Sequence, residues 1–160
     1  MKKVLFVCLG NICRSPTAEG IFKYLIEEKG LTDQICCDSA GITSVHSGEK
    51  ADSRSAEHAK KRGIILGSRS RGFDKKTDFE KFDLILAMDR SNYRSLEHFD
   101  QKGVYKEKIK LMTEFCLDKN CEEVPDPYFS GEEGFEIVLD ILEDATKGLL
   151  NFILKDFNES

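Results

Sequence analysis

The sequence predicts an α/β fold: one domain over residues 1–160, in three layers, with a parallel sheet of four strands flanked by helices. Three observations carry this. Short β-rich apolar runs alternate with stretches of helical periodicity. The first and third runs lead directly into helix-start sequences, Ser15-Pro16 and Asp89-Arg90-Ser91-Asn92. At 160 residues, 40% hydrophobic and 33% charged, the chain is long enough for a proper core and too apolar to stay disordered.

In chain order, Lys3–Cys8 reads as a buried central strand. Residues 16–29 form a helix, because Ala18, Ile21, Phe22, Leu25 and Ile26 recur at helical spacing, and Gly30 stops it. Gln34–Ser39 is a second strand, with one of Cys36 and Cys37 buried and the other half-exposed. Residues 40–51 are a polar loop around His46. Ser53 caps a helix running through Arg62, with Ala56 and Ala59 inward and Gly63 at its end. Residues 64–71 are irregular, and Lys75–Lys81 make a short helical turn. Phe82–Met88 is a third buried strand, Tyr93–Phe99 continues the helix begun near Asp89, and Ile109–Met112 is a fourth strand. The stretch 122–131 carries Pro125 and Pro127 and cannot be regular helix. Gly134–Phe157 is a long amphipathic helix with Val138, Ile141, Leu142, Ala145, Leu149, Phe152 and Ile153 as its apolar stripe. His58 and His98 sit among charged residues on predicted helices and read as solvated.

Composition removes several function classes. A net charge of −5 argues against a nucleic-acid binder, so any anionic ligand must be held by local positive features. No apolar run approaches the ~20 residues of a membrane span. The N-terminal apolar stretch is broken by Gly10, Asn11 and Arg14, unlike a secretory leader. Cysteines at 8, 13, 36, 37, 116 and 121 form no metal-ligand framework with the three histidines, so neither metal nor cofactor is expected. Neither glycine-rich nucleotide fingerprint is present. The expectation is a cytoplasmic monomer with reduced thiols.

The chemistry concentrates in residues 8–15. A buried strand ends at Cys8, a loop Leu9-Gly10-Asn11-Ile12-Cys13 follows, and a helix starts near Arg14-Ser15-Pro16. Gly10 and Asn11 tolerate positive φ, Ser15 is a cap candidate, and proline suits the first turn. Backbone N–H groups in such a loop, running into a helix N-terminus, form an anion site. Cys8 is the candidate nucleophile. The thiolate is the reactive form, and the helix N-terminus, inward N–H groups and Arg14 all favour it. Arg14 in a helical first turn opposes the helix dipole and therefore asks for an anionic partner; its planar fork suits phosphate. Ser15 can donate a hydrogen bond to the sulfur. Asp126, stiffened between two prolines, is the candidate general acid. In an α/β sheet the ligand lies beyond the carboxyl ends of the strands, where residues 8–14, 39–48 and 88–92 would gather under the proline loop.

Taken together, Cys8-Leu9-Gly10-Asn11-Ile12-Cys13-Arg14-Ser15-Pro16 and Val124-Pro125-Asp126-Pro127-Tyr128 resemble the low-molecular-weight protein tyrosine phosphatases. Cys37-Asp38-Ser39-Ala40-Gly41, Ala51-Asp52-Ser53-Arg54 and the stretch 82–92 resemble further family segments in the same order. The resemblance implies a flavodoxin-like architecture, Cys8 as nucleophile, Arg14 as phosphate binder and Asp126 as acid. It implies that Asn11, Ser15 and Ser39 support the phosphate-binding loop, Leu9 to Ser15, and that Cys13 can form a reversible disulfide with Cys8. The products would be phosphate and a dephosphorylated protein or small aryl alcohol, with phosphotyrosine proteins as partners. Ile12, Val45, His46, Tyr128 and Phe129 would shape the pocket. Val45 or His46 stands where better-known members carry a bulky aromatic, and Tyr128-Phe129 where a tyrosine pair is common.

Other readings of the same residues are an arsenate reductase, a protein arginine phosphatase and a non-catalytic phosphotyrosine-binding module. Arsenate reductases of this kind relay through cysteines after the third strand, and residues 82–96 contain none. Arginine phosphatases resemble this chain but carry a small polar residue where Ile12 stands. A binding module would be expected to lose the nucleophile or the acid.

Overall fold

The structure, a computed structural model, describes residues 1–159. Its strands are β1 (Lys2–Cys8), β2 (Ile35–Gly41), β3 (Leu84–Ala87) and β4 (Ile109–Leu111). Its helices are α1 (Arg14–Glu28), α2 (Ser53–Lys61), the short α3 (Asp78–Lys81), α4 (Arg90–Phe99) and α5 (Glu132–Glu159), with a 3-10 turn at Met112–Phe115. All strand pairs are parallel, in the order β2-β1-β3-β4.

β1 alternates between two cores, as a strand covered on both faces must. Val4, Phe6 and Cys8 point into one core with Phe22 of α1 and Leu142 and Leu149 of α5. Leu5 and Val7 point into the other with Phe79, Ile85, Ala87 and Leu96. Two helical layers therefore enclose the sheet, as predicted. The strand order reverses between β1 and β3, and at such a switch point the exits of both strands open onto a crevice.

Several predicted details change. α2 is capped by Asp52, not Ser53: its carboxylate accepts from the Arg54 and Ser55 N–H groups. An ionised acceptor also suits a helix N-terminus better than a hydroxyl. Arg62 lies beyond α2 and fans onto α5, reaching Glu136, Asp140 and Glu143 at 2.8, 2.9 and 3.3 Å. His58 is buried rather than solvated. Its Nδ1 lies 2.5 Å from Glu136 Oε2 and its ring stacks on Phe135. The charged neighbours in sequence point away while α5 crosses over the histidine. His98 is exposed, as predicted. Cys36 and Cys37 are both half-buried, because β2 is an edge strand. The turn expected over residues 75–81 is helical only from Asp78. In the α5 stripe Phe152 sits at the margin, half-exposed, with its edge against Phe115.

α5 approaches the 3-10 turn at Gly148, where an added Cβ would clash with the Phe115 carbonyl oxygen. Alanine gains about 1 kcal/mol in helix propensity over glycine, so the sign of Gly148→Ala reports which effect wins. The expected outcome is a net loss of about 1–3 kcal/mol, read as a lower urea midpoint with an unchanged slope.

Candidate active site

Cys8 closes β1, and the chain then curls through residues 9–13 into α1. Four carbonyls of this curl are held from outside. Leu9 O accepts from Thr43 N, Gly10 O from Ser70 Oγ, Ile12 O from Asp52 N and Cys13 O from Thr17 Oγ1. In a trans peptide the next N–H points opposite to the carbonyl, and the described residues hold no cis bond. The N–H groups of Gly10, Asn11, Cys13 and Arg14 are thereby turned toward the inside of the curl, an anion-binding concavity.

Among the described non-glycine residues, Asn11 alone has positive φ, at 57°. Its side chain is occupied on every side: Nδ2 donates to Ser15 Oγ (2.7 Å) and Ser39 Oγ (2.9 Å), and Oδ1 accepts from Arg71 N (3.0 Å). Of the two residues that tolerate positive φ, Asn11 adopts it and Gly10 does not. Its missing side chain makes room for His46, whose Cδ2 would stand 2.9 Å from a Cβ there. Ser15 is not the cap either; Cys13 occupies that position without a side-chain cap bond. The Ser15 hydroxyl instead lies 3.0 Å from Cys8 Sγ, because the Asn11 amide has already bound its oxygen.

Arg14 is 2% exposed. Its Nη1 donates to Asp89 Oδ2 (2.7 Å) and to Val124 O (3.0 Å), and Nη2 lies 3.6 Å from Asp126 Oδ2. Nε is buried and makes no hydrogen bond among the described residues. Burial works against the guanidinium charge, but Cys8, Asp89 and Asp126 outweigh it and raise its pKa further. The Nη1 corner is thus an anchor, and the Nε–Nη2 edge is left for a planar two-oxygen partner.

Asp89 was legible only as part of a helix start. It caps α4 through Asn92 N with one oxygen and holds Arg14 with the other. Asp126 is on the proline loop, which is pinned to the sheet by Val124 N donating to Met88 O (2.8 Å). Asp126 Oδ1 accepts from Tyr128 N (3.0 Å), an Asx turn that leaves Oδ2 toward Arg14. Burial pushes the Cys13 thiol up to about 12.

Cys8, Leu9, Gly10, Ile12, Cys13, Arg14 and Asp126 line one cleft of about 350 Å³. Val45, His46, Tyr128 and Phe129 complete its wall, so every predicted pocket residue meets there. Asn11, Ser15 and Ser39 are buried behind it. Tyr128 is backed by Arg54, whose guanidinium lies between the Tyr128 and Phe135 rings and is gripped by Asp52. Phe129 is 96% exposed at the mouth. His46 is half-buried, with Nδ1 2.6 Å from Glu49 Oε2. Beyond Asp89's grip on Arg14, the sequence reading missed Glu19, Ser70 and Arg71, which brace the loop from behind. Among the described residues, no cluster of His, Cys, Asp and Glu is arranged to hold a metal ion, and no helix is long and apolar enough to cross a membrane.

A thiol in a ring of N–H groups, a buried arginine and a carboxylate at the mouth make a site for phosphoryl transfer. A family model of low molecular weight phosphotyrosine protein phosphatases matches residues 3–159, and the chain belongs to that family. A Synechocystis sequence named for low molecular weight protein-tyrosine-phosphatases is 49% identical over 96% of this chain and 98% of its own. A crystal structure of a protein tyrosine phosphatase from Entamoeba histolytica superposes with a TM-score of 0.92 at 47% identity, covering 98% of this chain and 99% of that one. YfkJ from Bacillus subtilis superposes with a TM-score of 0.91 at 39% identity, covering 98% and 96%.

Because Asp52 caps α2 and its N–H holds the Ile12 carbonyl, the cap supports the site as well as the helix. Partial burial pushes its carboxyl up, but bonds from the Arg54 side chain and the Arg54 and Ser55 N–H groups outweigh this and hold it below its ordinary 3.8. A depressed carboxyl stabilises above its unfolded pKa and loses that contribution as pH falls through the folded value. Asp52→Ala is therefore expected to cost about 1 kcal/mol at pH 7. The difference from wild type should shrink as pH falls below ~4, measured by denaturant titration at both pH values.

Proposed function

We propose that this phosphatase hydrolyses aryl phosphate monoesters, phosphotyrosine in proteins above all, through a cysteinyl-phosphate on Cys8 and without a metal ion. The observation that carries the reading is the buried, unpartnered Nε of Arg14 beside Nη2, in the same cleft as Cys8. Two phosphate oxygens fit that edge, and the third faces the inward N–H groups of the curl.

The sulfur attacks phosphorus as the bond to the phenolic oxygen breaks, and Asp126 delivers its proton to that departing oxygen. Charge on the equatorial oxygens is met by Arg14 and the N–H groups, which are already in place. The Asp126 carboxylate then takes a proton from water, the water oxygen attacks phosphorus, and the electron pair of the S–P bond returns to Cys8. Asp89 acts through Arg14 by fixing its fork. Ile12, Tyr128 and Phe129 offer apolar faces to a flat phenyl ring. Val45 and His46 supply the opposite wall, which carries less aromatic surface.

A protective role for Cys13 is part of this reading: peroxide converts the Cys8 thiolate to a sulfenic acid with release of hydroxide, and the Cys13 thiol then condenses with it, an S–S bond forming as the S–O bond breaks and water leaves. Mass spectrometry after mild peroxide should find the linked peptide. Cys8 as sulfinic acid without it would remove that role.

Cys8→Ser is expected to abolish p-nitrophenyl phosphate hydrolysis while vanadate binding persists. Asp126→Ala should slow turnover by ~10²–10⁴ on phosphotyrosine, and by less on esters whose leaving group departs without a proton. Equal losses on both would remove Asp126 from the acid role. A chelator should leave the rate unchanged. One neighbour of the fold is described as a Drosophila arginine phosphatase, with a TM-score of 0.87 at 35% identity. A comparison of phosphotyrosine, phosphoserine and phosphoarginine peptides is therefore the sharpest test: kcat/KM is expected highest on phosphotyrosine, since Ile12 narrows the pocket floor. Preference for phosphoarginine would overturn the assigned substrate.

A further inference from the structure

We infer that Arg54 is a positioning residue for substrate binding: its guanidinium, held in one plane by Asp52, fixes the Tyr128 ring as a wall of the pocket and so gives the cleft its grip on a flat ring. The inference rests on the aryl phosphatase reading and names a residue on which ring recognition depends.

Tyr128 lies outside any helix or strand and is 37% exposed. Its backbone N–H is bound to Asp126, but that bond leaves the ring free to turn about its side-chain torsions. One neighbour, Phe129, meets the ring edge-on at 4.8 Å, yet is itself almost wholly in solvent and offers no fixed support. The other is Arg54, whose Cζ stands 5.4 Å from the Tyr128 centroid and 4.9 Å from that of Phe135. Both distances are within cation–π reach. Phe135 is buried on α5 and stacks in turn on the buried His58 ring, at 5.5 Å and 9°. Four planar groups, Tyr128, Arg54, Phe135 and His58, thus link the pocket wall to the seam between α2 and α5.

Asp52 sets the plane of the guanidinium. Nε donates to Oδ1 (3.2 Å) and Nη2 to Oδ2 (3.1 Å), a two-pronged grip that an ammonium could not match. Asp52 is held in its turn: its side chain accepts from the Arg54 and Ser55 N–H groups, and its own N–H donates to the Ile12 carbonyl at 2.7 Å. Ile12 and Tyr128 both line the cleft, and both are therefore referred to one residue. Ile12 is tied to the Asp52 main chain, and Tyr128 to its side chain through Arg54. A phenyl ring entering the cleft meets both, so the Asp52–Arg54 pair sets the space it must fit. The same grip leaves Arg54 poorly placed to catch an acidic residue of a substrate, because two of its donors and its charge are already engaged by Asp52.

The experiment is the kinetics of Arg54→Ala on p-nitrophenyl phosphate and a phosphotyrosine peptide, with vanadate and inorganic phosphate as ringless competitive inhibitors. Loss of a cation–π support corresponds to about three- to tenfold, so KM for both aryl esters is expected to rise by that factor. Turnover after the burst and the two inhibition constants are expected to stay within about twofold, because lost uniform binding raises KM without lowering kcat. A merely structural defect in α2 would loosen the phosphate loop through Ile12, and weakened vanadate binding would overturn the inference. In a Tyr128→Ala background, Arg54→Ala is expected to add nothing, since the ring it positions is gone; losses that multiply overturn it. Arg54→Lys keeps the charge without the plane and is expected to match Arg54→Ala, so full rescue by lysine overturns it as well. It also serves as the test variant if Arg54→Ala does not fold. A larger loss on an acidic peptide than on p-nitrophenyl phosphate would make Arg54 a reader of peptide charge instead. A wild-type enzyme that favours phosphoarginine over phosphotyrosine peptides refutes the aryl reading and the inference with it. One that favours phosphotyrosine while its Arg54 variants keep the wild-type KM refutes the inference alone.

Discussion

Asn11 holds its backbone at φ 57°, a conformation that disfavours side chains and persists only when the surroundings over-determine it. Here three hydrogen bonds from three segments do so: Ser15 on α1, Ser39 on β2 and Arg71 on the strap that follows α2. This one turn reverses the chain between Cys8 and Arg14. If it relaxed, the peptide N–H groups would no longer converge, and the sulfur and the guanidinium would not share a cleft. The neighbouring elements follow from that demand. Ser70 and Asp52 each take a carbonyl of the curl, and each belongs to a segment otherwise without a role in the chemistry.

Electrostatic preorganisation is the second theme. A buried arginine needs compensation, and Arg14 obtains its hydrogen bonds from Asp89 and a backbone carbonyl, while Asp126 adds only charge from farther away. Asp126 stays at 3.6 Å and partly solvated. In the proposed mechanism two acids with different environments take different tasks, Asp89 gripping the guanidinium and Asp126 exchanging a proton. This division explains why both carboxylates sit near one guanidinium.

What was legible in the sequence was whatever depends on near neighbours in the chain. The buried strand β1, the strand–loop–helix curl from Cys8 to Ser15 and the break in regular structure around Asp126 are local patterns, and each appears where expected. The misreadings share a cause in distant partners. His58 reads as solvated because Glu57 and Lys60 flank it, yet its partner Glu136 is 78 residues away. Cys36 and Cys37 were assigned by strand alternation, which assumes a covered strand, whereas strand order alone makes β2 an edge. Ser15 has the composition of a cap, but Asn11 claims its oxygen first. Glu19 carries no signal in the sequence at all, since a lone glutamate on a helix is ordinarily a solvated one.

The contact between Gly10 and His46 has a consequence for how this pocket can vary. The imidazole fills the space a side chain at position 10 would need, and Glu49 holds it there. Loop and wall are therefore coupled in volume. A larger residue at 10 requires a smaller one at 46, and a bulkier wall residue at 46 presses directly on the phosphate loop. A change of the rim at 46 would be felt at once by the loop beneath it, so positions 10 and 46 are expected to covary among relatives, while the solvent-exposed Phe129 can drift without that constraint.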